Sequence, residues 1–479
     1  MDYLFKTKPY EHQIKALELG WNQREFGYFM EMGTGKTKVI IDTAAMLFDA
    51  GEIDALMVVA PKGVYRNWTK DGGELDLHMP QHIPLRVATW RASLTAGVKD
   101  AINRLFEPND DLNIFAINID AVITSKGSKV INKFLDTRRV LLVVDESTTI
   151  KSQKARRTKA MIQLGAKAKY RRILTGSPVT RSPLDVYTQC EFLNPRLLGY
   201  SSFYGFRGHF ADTINQNFGG RTFKQIVGYK NLEELQDILK EFTYRVTKDE
   251  CLDLPDKIYM RREFDLTKEQ KKVYAEMKKF AMTELEGEDA SVTNVIVQLL
   301  RLHQITCGHL TTDDREIREI KNDRLKELME ILEELNGRAI IWANYRHDIR
   351  RIYQAVVAEY GAESIVTYFG DTTDDERVRA VDKFQDRSSP VRWFLGNTQT
   401  GGYGITLTEA STVIYYSNNY DLEKRLQSED RAHRIGQQRS VTYIDLVCRG
   451  TIDEKIINSL RNKNDIARQI TGDQWREWL

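Results

Sequence analysis

The sequence predicts an α/β fold of two parallel-sheet lobes in tandem with helical insertions. Short apolar, β-branched runs alternate with amphipathic stretches in the first third of the chain and again beyond residue 338, as parallel strands joined by helices do. The runs are continuously hydrophobic rather than alternating, as in Leu141-Leu142-Val143-Val144, so helices are expected on both faces of the strands. Between the blocks, from about 184 to 326, strand signals thin out and helical periodicity dominates, as at 231–242 and 266–285.

Candidate strands of the first block lie at 26–30, 56–60, 113–117, 140–144 and 172–175. Those of the second lie at 339–343, 365–369, 392–396, 413–417 and 442–447. No repeat of solenoid period and no long low-complexity tract interrupts them, and 287–291 reads as a polar loop between helices. A length of 479 residues suggests about three folded units. With 41% hydrophobic and 29% charged residues, the chain is neither disordered nor fibrous. No apolar run approaches the roughly 18 residues a bilayer span needs, and the first six residues lack a secretion signal's apolar stretch. The expectation is therefore a non-secreted protein with no membrane association and a cytoplasmic address.

Cys190, Cys251, Cys307 and Cys448 have no paired spacing, which argues against disulfides and zinc. Cys307-Gly308-His309 reads as a buried thiol beside a polar histidine, because zinc wants four ligands and no second pair is near. With 70 Lys+Arg against 68 Asp+Glu, any nucleic-acid surface must come from local segregation of charge.

The strongest local signal is Met32-Gly33-Thr34-Gly35-Lys36-Thr37, which follows one candidate strand and opens a helix. Gly33, Thr34 and Gly35 let backbone N–H groups approach phosphate oxygens. Lys36 can reach the β and γ phosphates, and the Thr37 hydroxyl can ligate Mg²⁺. The strict phosphate-loop pattern has Gly where this chain has Met30. A second signal is the run 140–144, which delivers Asp145 and Glu146 at a strand's C-terminal end, where ligands bind in open α/β sheets. Asp145 is expected to hold the metal and Glu146 to orient or deprotonate the attacking water.

With these motifs in place, the chain resembles superfamily 2 helicase-like ATPases, and among them the Swi/Snf-type DNA translocases, over nearly its whole length. Pro9-Tyr10-Glu11-His12-Gln13 resembles the adenine-reading glutamine motif, with Gln13 as reader. Ala60-Pro61-Lys62 with Asn67-Trp68 resembles motif Ia, which meets a nucleic-acid strand. The segment 145–151 resembles motif II and Leu174-Thr175-Gly176-Ser177-Pro178 motif III. Gly401-Gly402-Tyr403-Gly404-Ile405-Thr406 resembles motif V, and 427–437 motif VI. The resemblance implies that Arg431 and Arg434 are arginine fingers and that Gly404 serves the nucleotide. A planar guanidinium can hold two γ-phosphate oxygens as charge shifts during transfer. The two arginines are three apart on an expected helix, hence on one face.

The implied architecture is a RecA-like ATPase lobe over 1–183, a helical insertion and linker over 184–262, a second helical insertion over 263–325, and a RecA-like lobe with a C-terminal helix over 326–479. The implied cofactors are ATP and Mg²⁺, and the implied partner is DNA, mostly double-stranded, so the address extends to wherever DNA lies. Lys62, Trp68, Asn344, Tyr345 and Gln427 are the expected nucleic-acid contacts. Lys151, Lys154, Arg156, Arg157 and Lys159, continued by Lys167, Lys169, Arg171 and Arg172, form a basic run that reads either as a solvated face or as a phosphate track. Where many relatives carry an acidic residue after the motif V strand, this chain has Tyr416-Ser417-Asn418-Asn419. The rival readings are a strand-separating DNA or RNA helicase and a non-catalytic nucleic-acid-binding scaffold.

Overall fold

The computed structural model describes residues 3–62, 64–91, 95–180, 182–218, 221–251, 254–286, 292–311, 316–401, 405–434 and 436–471. They divide into two compact units, the first from Met1–Ile214, Ile226–Asp253 and Lys463–Leu479 and the second from Asn215–Gln225 and Leu254–Asn462.

The strands in chain order are β1 (Glu25–Met30), β2 (Ala55–Ala60), β3 (Leu85–Thr89), β4 (Leu112–Asn118), β5 (Val140–Asp145), β6 (Tyr170–Leu174), β7 (Ala211–Phe218), β8 (Arg221–Tyr229) and β9 (Thr243–Val246). They continue with β10 (Lys257–Phe264), β11 (His309–Thr311), β12 (Ile317–Glu319), β13 (Arg338–Trp342), β14 (Ile365–Tyr368), β15 (Trp393–Gly396), β16 (Ala410–Tyr415) and β17 (Val441–Cys448). The first unit holds a seven-stranded sheet of order β3-β4-β2-β5-β6-β1-β9 and the second a six-stranded sheet of order β10-β17-β16-β13-β15-β14. Both sheets are parallel throughout.

Each central strand buries both faces, because successive side chains point to opposite sides. Along β2, Met57 and Val59 join one core with Phe115, Phe134 and Phe192, while Leu56 and Val58 join another with Val39, Ile40 and Val143. In the second unit, Ile341 faces a core with Leu328 and Ile352, and Ile340 and Trp342 face one with Phe384 and Phe394. Fully burying one such side chain contributes about 1.5–3 kcal/mol, so the continuous apolar runs of the sequence are the price of a sheet covered on both sides.

The sequence reading missed β3, β9 and β10, and all three are edge strands. They are half-exposed and carry polar residues, as in Lys257-Ile258-Tyr259-Met260-Arg261-Arg262. An edge strand covered on one side loses the continuous signal and is blunted by charge. The stretch read as helical, 184–326, also needs correction: it contains β7 to β12 as well as the helices Leu232–Lys240, Lys268–Glu286 and Val292–Cys307. Among the described residues no helix is long and apolar enough to cross a membrane.

Candidate active site

The strand order β5-β6-β1 places the loops that follow these three parallel strands side by side at the C-terminal end of the sheet. From β1 the chain turns through 31–35 into the helix Lys36–Asp49. Gly33 and Gly35 have φ of +82° and +85°, and Gly35 caps the helix in the left-handed region that side chains disfavour. A Cβ at Gly35 would also lie 2.1 Å from Gln13 Nε2. The loop is closed by Thr34 Oγ1 donating to the Glu31 carbonyl at 2.7 Å. The Thr34 carbonyl accepts from Gln13 Nε2 at 3.0 Å and bonds His12 Nε2 at 2.8 Å. Gln13 Oε1 accepts the Tyr10 N–H at 3.0 Å, which orients the whole amide. The Lys36 ammonium is turned back onto the Met30 and Glu31 carbonyls at 2.8 and 3.2 Å.

At the end of β5, Asp145 is buried and accepts the Trp68 indole N–H at 3.1 Å and the Glu146 backbone N–H at 3.0 Å. Burial pushes the Asp145 carboxyl pKa up, and the Trp68 hydrogen bond, the Lys36 charge and the Glu146 N–H oppose that push. The Lys36 ammonium therefore lies near enough for its charge to favour the ionised Asp145 carboxylate. Glu146, also buried, takes the left-handed region at φ 53° and ψ 61°, which costs a non-glycine residue on the order of 1–3 kcal/mol and is characteristic of functional sites.

The loop after β6 is tied to both neighbours. A Cβ at Gly176 would meet the Met32 backbone N at 3.0 Å. Ser147 Oγ donates to Gln189 Oε1 at 2.6 Å, and Gln189 Nε2 donates to the Pro178 and Asp185 carbonyls at 2.9 and 2.8 Å. Lys151 reaches Thr180 Oγ1 at 2.6 Å. Gln189 and His12 have roles the sequence reading gave to no residue. His12 stood next to the chosen Gln13, whereas Gln189 lies on a buried helix with no motif to mark it.

In the second unit, the helix Leu422–Glu429 stops before the two arginines, so the expectation that they share a helical face is corrected. Backbone bonds there tighten to Ala432 N on Glu429 O and Arg431 N on Ser428 O, the usual narrowing of a helix end. The turn still brings both guanidiniums to one acceptor, the Ile405 carbonyl, at 3.2 Å for Arg431 and 3.5 Å for Arg434. Arg431 Nε also donates to Gln427 O at 2.8 Å. Ahead of the turn, Arg425 is buried between Glu429 at 2.8 Å and Asp445 at 2.5 Å, with its guanidinium 3.5 Å from the Tyr415 ring centre. Gly404 lies outside the described residues.

Of the expected nucleic-acid contacts, Lys62 is exposed just past β2, and Asn344 and Tyr345 are half-buried just past β13. The Tyr345 hydroxyl bonds His303 Nδ1 at 2.8 Å. Trp68 and Gln427 are only 1% and 2% exposed. Trp68 faces Asp145, and Gln427 side-chain atoms meet Lys424 and Glu423. The basic run after motif II splits in the same way. Lys154, Arg156 and Lys159 are exposed, whereas Lys167, Lys169 and Arg171 pair with Asp136, Glu52 and Glu25. Arg172 is fully buried and donates to the Gly20, Trp21 and Gln23 carbonyls at the end of the helix Glu11–Gly20.

A glycine loop that opens a helix beside a strand-end Asp-Glu pair in one parallel-sheet unit, with two arginines in a turn of the second, is the arrangement expected of the superfamily 2 helicase-like class. Residues 12–311 match the SNF2-related domain and residues 320–436 the helicase conserved C-terminal domain. The chain belongs to the SNF2-related family. It is similar to the human DNA annealing helicase and endonuclease ZRANB3, at 26% identity over 92% of this chain and 38% of that protein. It is also similar to the putative ATP-dependent helicase/translocase YwqA of Bacillus subtilis (strain 168), at 27% identity over 98% of this chain and 49% of that protein. The chain thus spans less than half the length of either relative. A solved Sulfolobus solfataricus SWI2/SNF2 ATPase core in complex with dsDNA is 24% identical, covering 98% of this chain and 96% of that one, with a TM-score of 0.42.

Proposed function

We propose that this chain is an ATP-driven motor that tracks along DNA, mostly duplex DNA, and hydrolyses ATP with groups from both units acting on one triphosphate. The observation that carries the reading is the convergence on the end of β5, where Asp145 meets the Trp68 indole and the Lys36 charge while Glu146 is held in a strained conformation. Lys36 binds the β and γ phosphates by leaving its backbone carbonyls. Gln13 reads adenine from its place under the loop. Glu146 orients the attacking water and takes its proton. Arg431 and Arg434 stabilise charge on the transferring phosphoryl group.

The Asp145 carboxylate and the Thr37 hydroxyl are hard-oxygen donors of the kind that suits Mg²⁺. Held there, the ion would neutralise charge on the phosphate oxygens. Trp68 is then a positioning residue for its ligand. Trp68→Phe keeps the ring and deletes the N–H, so the Mg²⁺ concentration for half-maximal hydrolysis is expected to rise by about tenfold or more, read from a Mg²⁺ titration of turnover. Lys62, Asn344 and Tyr345 contact backbone phosphates, which makes binding steeply salt dependent and nearly blind to sequence.

The reading is tested by phosphate release with and without DNA. Lys36→Ala and Glu146→Gln are each expected to cut DNA-stimulated hydrolysis by roughly a hundredfold or more with the fold intact; near-normal turnover in either refutes it, and a wild-type protein without hydrolysis returns the scaffold reading. The strand-separating alternative gains one observation, the hairpin of β7 and β8 that the sequence did not announce. Unwinding of a plain duplex that is lost when residues 216–223 are shortened would favour it over triplex displacement alone.

A further inference from the structure

In the six-stranded sheet β16 lies between β13 and β17, and its last residue, Tyr415, stands opposite Trp342 on one side and Asp445 on the other. The loop that follows, Tyr416-Ser417-Asn418-Asn419, therefore borders the ends of both neighbours. It carries no acidic residue. Residues 344 and 415–445 all belong to the second unit.

On the β13 side, the Asn344 N–H donates to Ser417 Oγ at 2.9 Å, and Asn419 Nδ2 donates to Asn344 Oδ1 at 3.5 Å. On the β17 side, Asn418 is 8% exposed and uses both ends of its amide: Nδ2 donates to Asp445 Oδ1 at 2.8 Å, and Oδ1 accepts from the Arg425 guanidinium at 2.8 Å. That guanidinium also holds the Asp445 carboxylate, and its Nε donates to Glu429 at 2.8 Å. Glu429 and Ser428 in turn build the arginine turn. The Glu429 carbonyl accepts the N–H groups of Ala432 and His433 and the Tyr443 hydroxyl, the Ser428 carbonyl accepts the Arg431 N–H, and Ser428 Oγ bonds the Tyr415 hydroxyl.

We infer that the loop 416–419 is a positioning element, with Asn418 setting the turn that carries Arg431 and Ser417 setting Asn344. The inference rests on the motor reading above and adds which residues hold its arginine finger and one of its DNA contacts in place. Asn418 suits the position because an amide both donates and accepts, which a carboxylate cannot do. Arg425 already faces two carboxylates, Asp445 and Glu429, with the Lys257 ammonium 3.4 Å from the second. A third carboxylate at 418 would set two anionic oxygens where the 2.8 Å hydrogen bond to Asp445 now lies, and buried like charges that close repel strongly. The guanidinium would then be drawn away from Glu429, and the turn would lose its brace.

The test begins with Asn418→Asp, which changes the charge at almost constant shape. Its DNA-stimulated kcat is expected to fall by about tenfold or more, with the KM for ATP and binding of a fluorescent ATP analogue unchanged. Adding Asp445→Asn exchanges amide and carboxylate and leaves two carboxylates on Arg425, so kcat is expected to return to within about threefold of wild type. Wild-type kcat in the single variant, or no recovery in a double variant with a wild-type melting temperature, overturns the role of Asn418. Should the single variant fail to fold, the double one decides. Ser417→Ala removes the acceptor of the Asn344 N–H; the DNA concentration for half-maximal stimulation is expected to rise about fivefold at unchanged saturating kcat, and a wild-type value overturns the role of Ser417. If the wild-type protein shows no DNA-stimulated hydrolysis, the motor reading itself has failed; if the variants match an active wild type, the inference about the loop alone has.

Discussion

Arg431→Ala is expected to lower DNA-stimulated ATP hydrolysis by about a thousandfold, with binding of a fluorescent ATP analogue within about twofold of wild type. The separation of the two readouts follows from where the groups sit. The loop 31–35, Gln13 and Asp145 belong to the first unit, and Arg431 to the second, so on the proposed reading the removal of Arg431 leaves the residues proposed to cradle the nucleotide whole. Arg431 also has structural bonds, to the Gln427 and Ile405 carbonyls, and a loss of turnover could in principle come from a disordered turn. Arg431→Lys separates the two causes. It keeps the charge but not the planar fork that grips two phosphate oxygens, so turnover is expected to stay at least about a hundredfold down while the melting temperature holds. Recovery of most activity by lysine would show that charge alone suffices and would sink the finger assignment.

The parts of this machine that could be read from the sequence are those in which chemistry and local backbone coincide. The loop 33–37 needs glycines for its turn, and the lysine proposed to bind phosphate stands within the same five residues. Asp145 and Glu146 end an apolar run that is itself a buried strand, so strand and site announce each other. The buried arginines are the opposite case. In sequence, Arg172, Arg324 and Arg425 look like surface charge, yet all are buried, each on acceptors that lie far along the chain or on another element. A guanidinium has five donors and tolerates burial only where the fold supplies acceptors, and nothing local encodes those acceptors. The orientations of Trp68 and Gln427 were hidden for a related reason. A motif fixes which residues occur together, but not which way each side chain faces, and here one turns to Asp145 and the other inward along its helix. The left-handed backbone of Glu146 was likewise invisible, because glutamate has no preference for it.

The largest loss of stability is expected from Arg324→Met, at about 3–5 kcal/mol. Arg324 is fully buried at the start of the helix Arg324–Glu334. It pairs with Asp453 and donates to the carbonyls of Tyr416, Leu446 and Thr306, which joins the ends of β16 and β17 to two helices. Phe264 and Tyr416 present their rings to the guanidinium at 5.0 and 5.6 Å. Methionine fills most of the volume, so the cost is not a cavity. It is the Asp453 carboxylate, 5% exposed, which loses its guanidinium and, among the described residues, keeps Thr306 Oγ1 at 2.9 Å, the Cys448 N–H at 3.0 Å and His303 Nε2 at 3.8 Å. Removing that carboxylate as well, in Arg324→Met with Asp453→Leu, should recover much of the loss, because the orphaned charge is the main penalty and neighbouring changes are not additive. Hydrogen exchange along β17 reads the effect within the second unit: protection is expected to fall steeply in the single variant and to return in the double one. Equal protection in the wild type and the single variant would mean that the pair contributes no net stability.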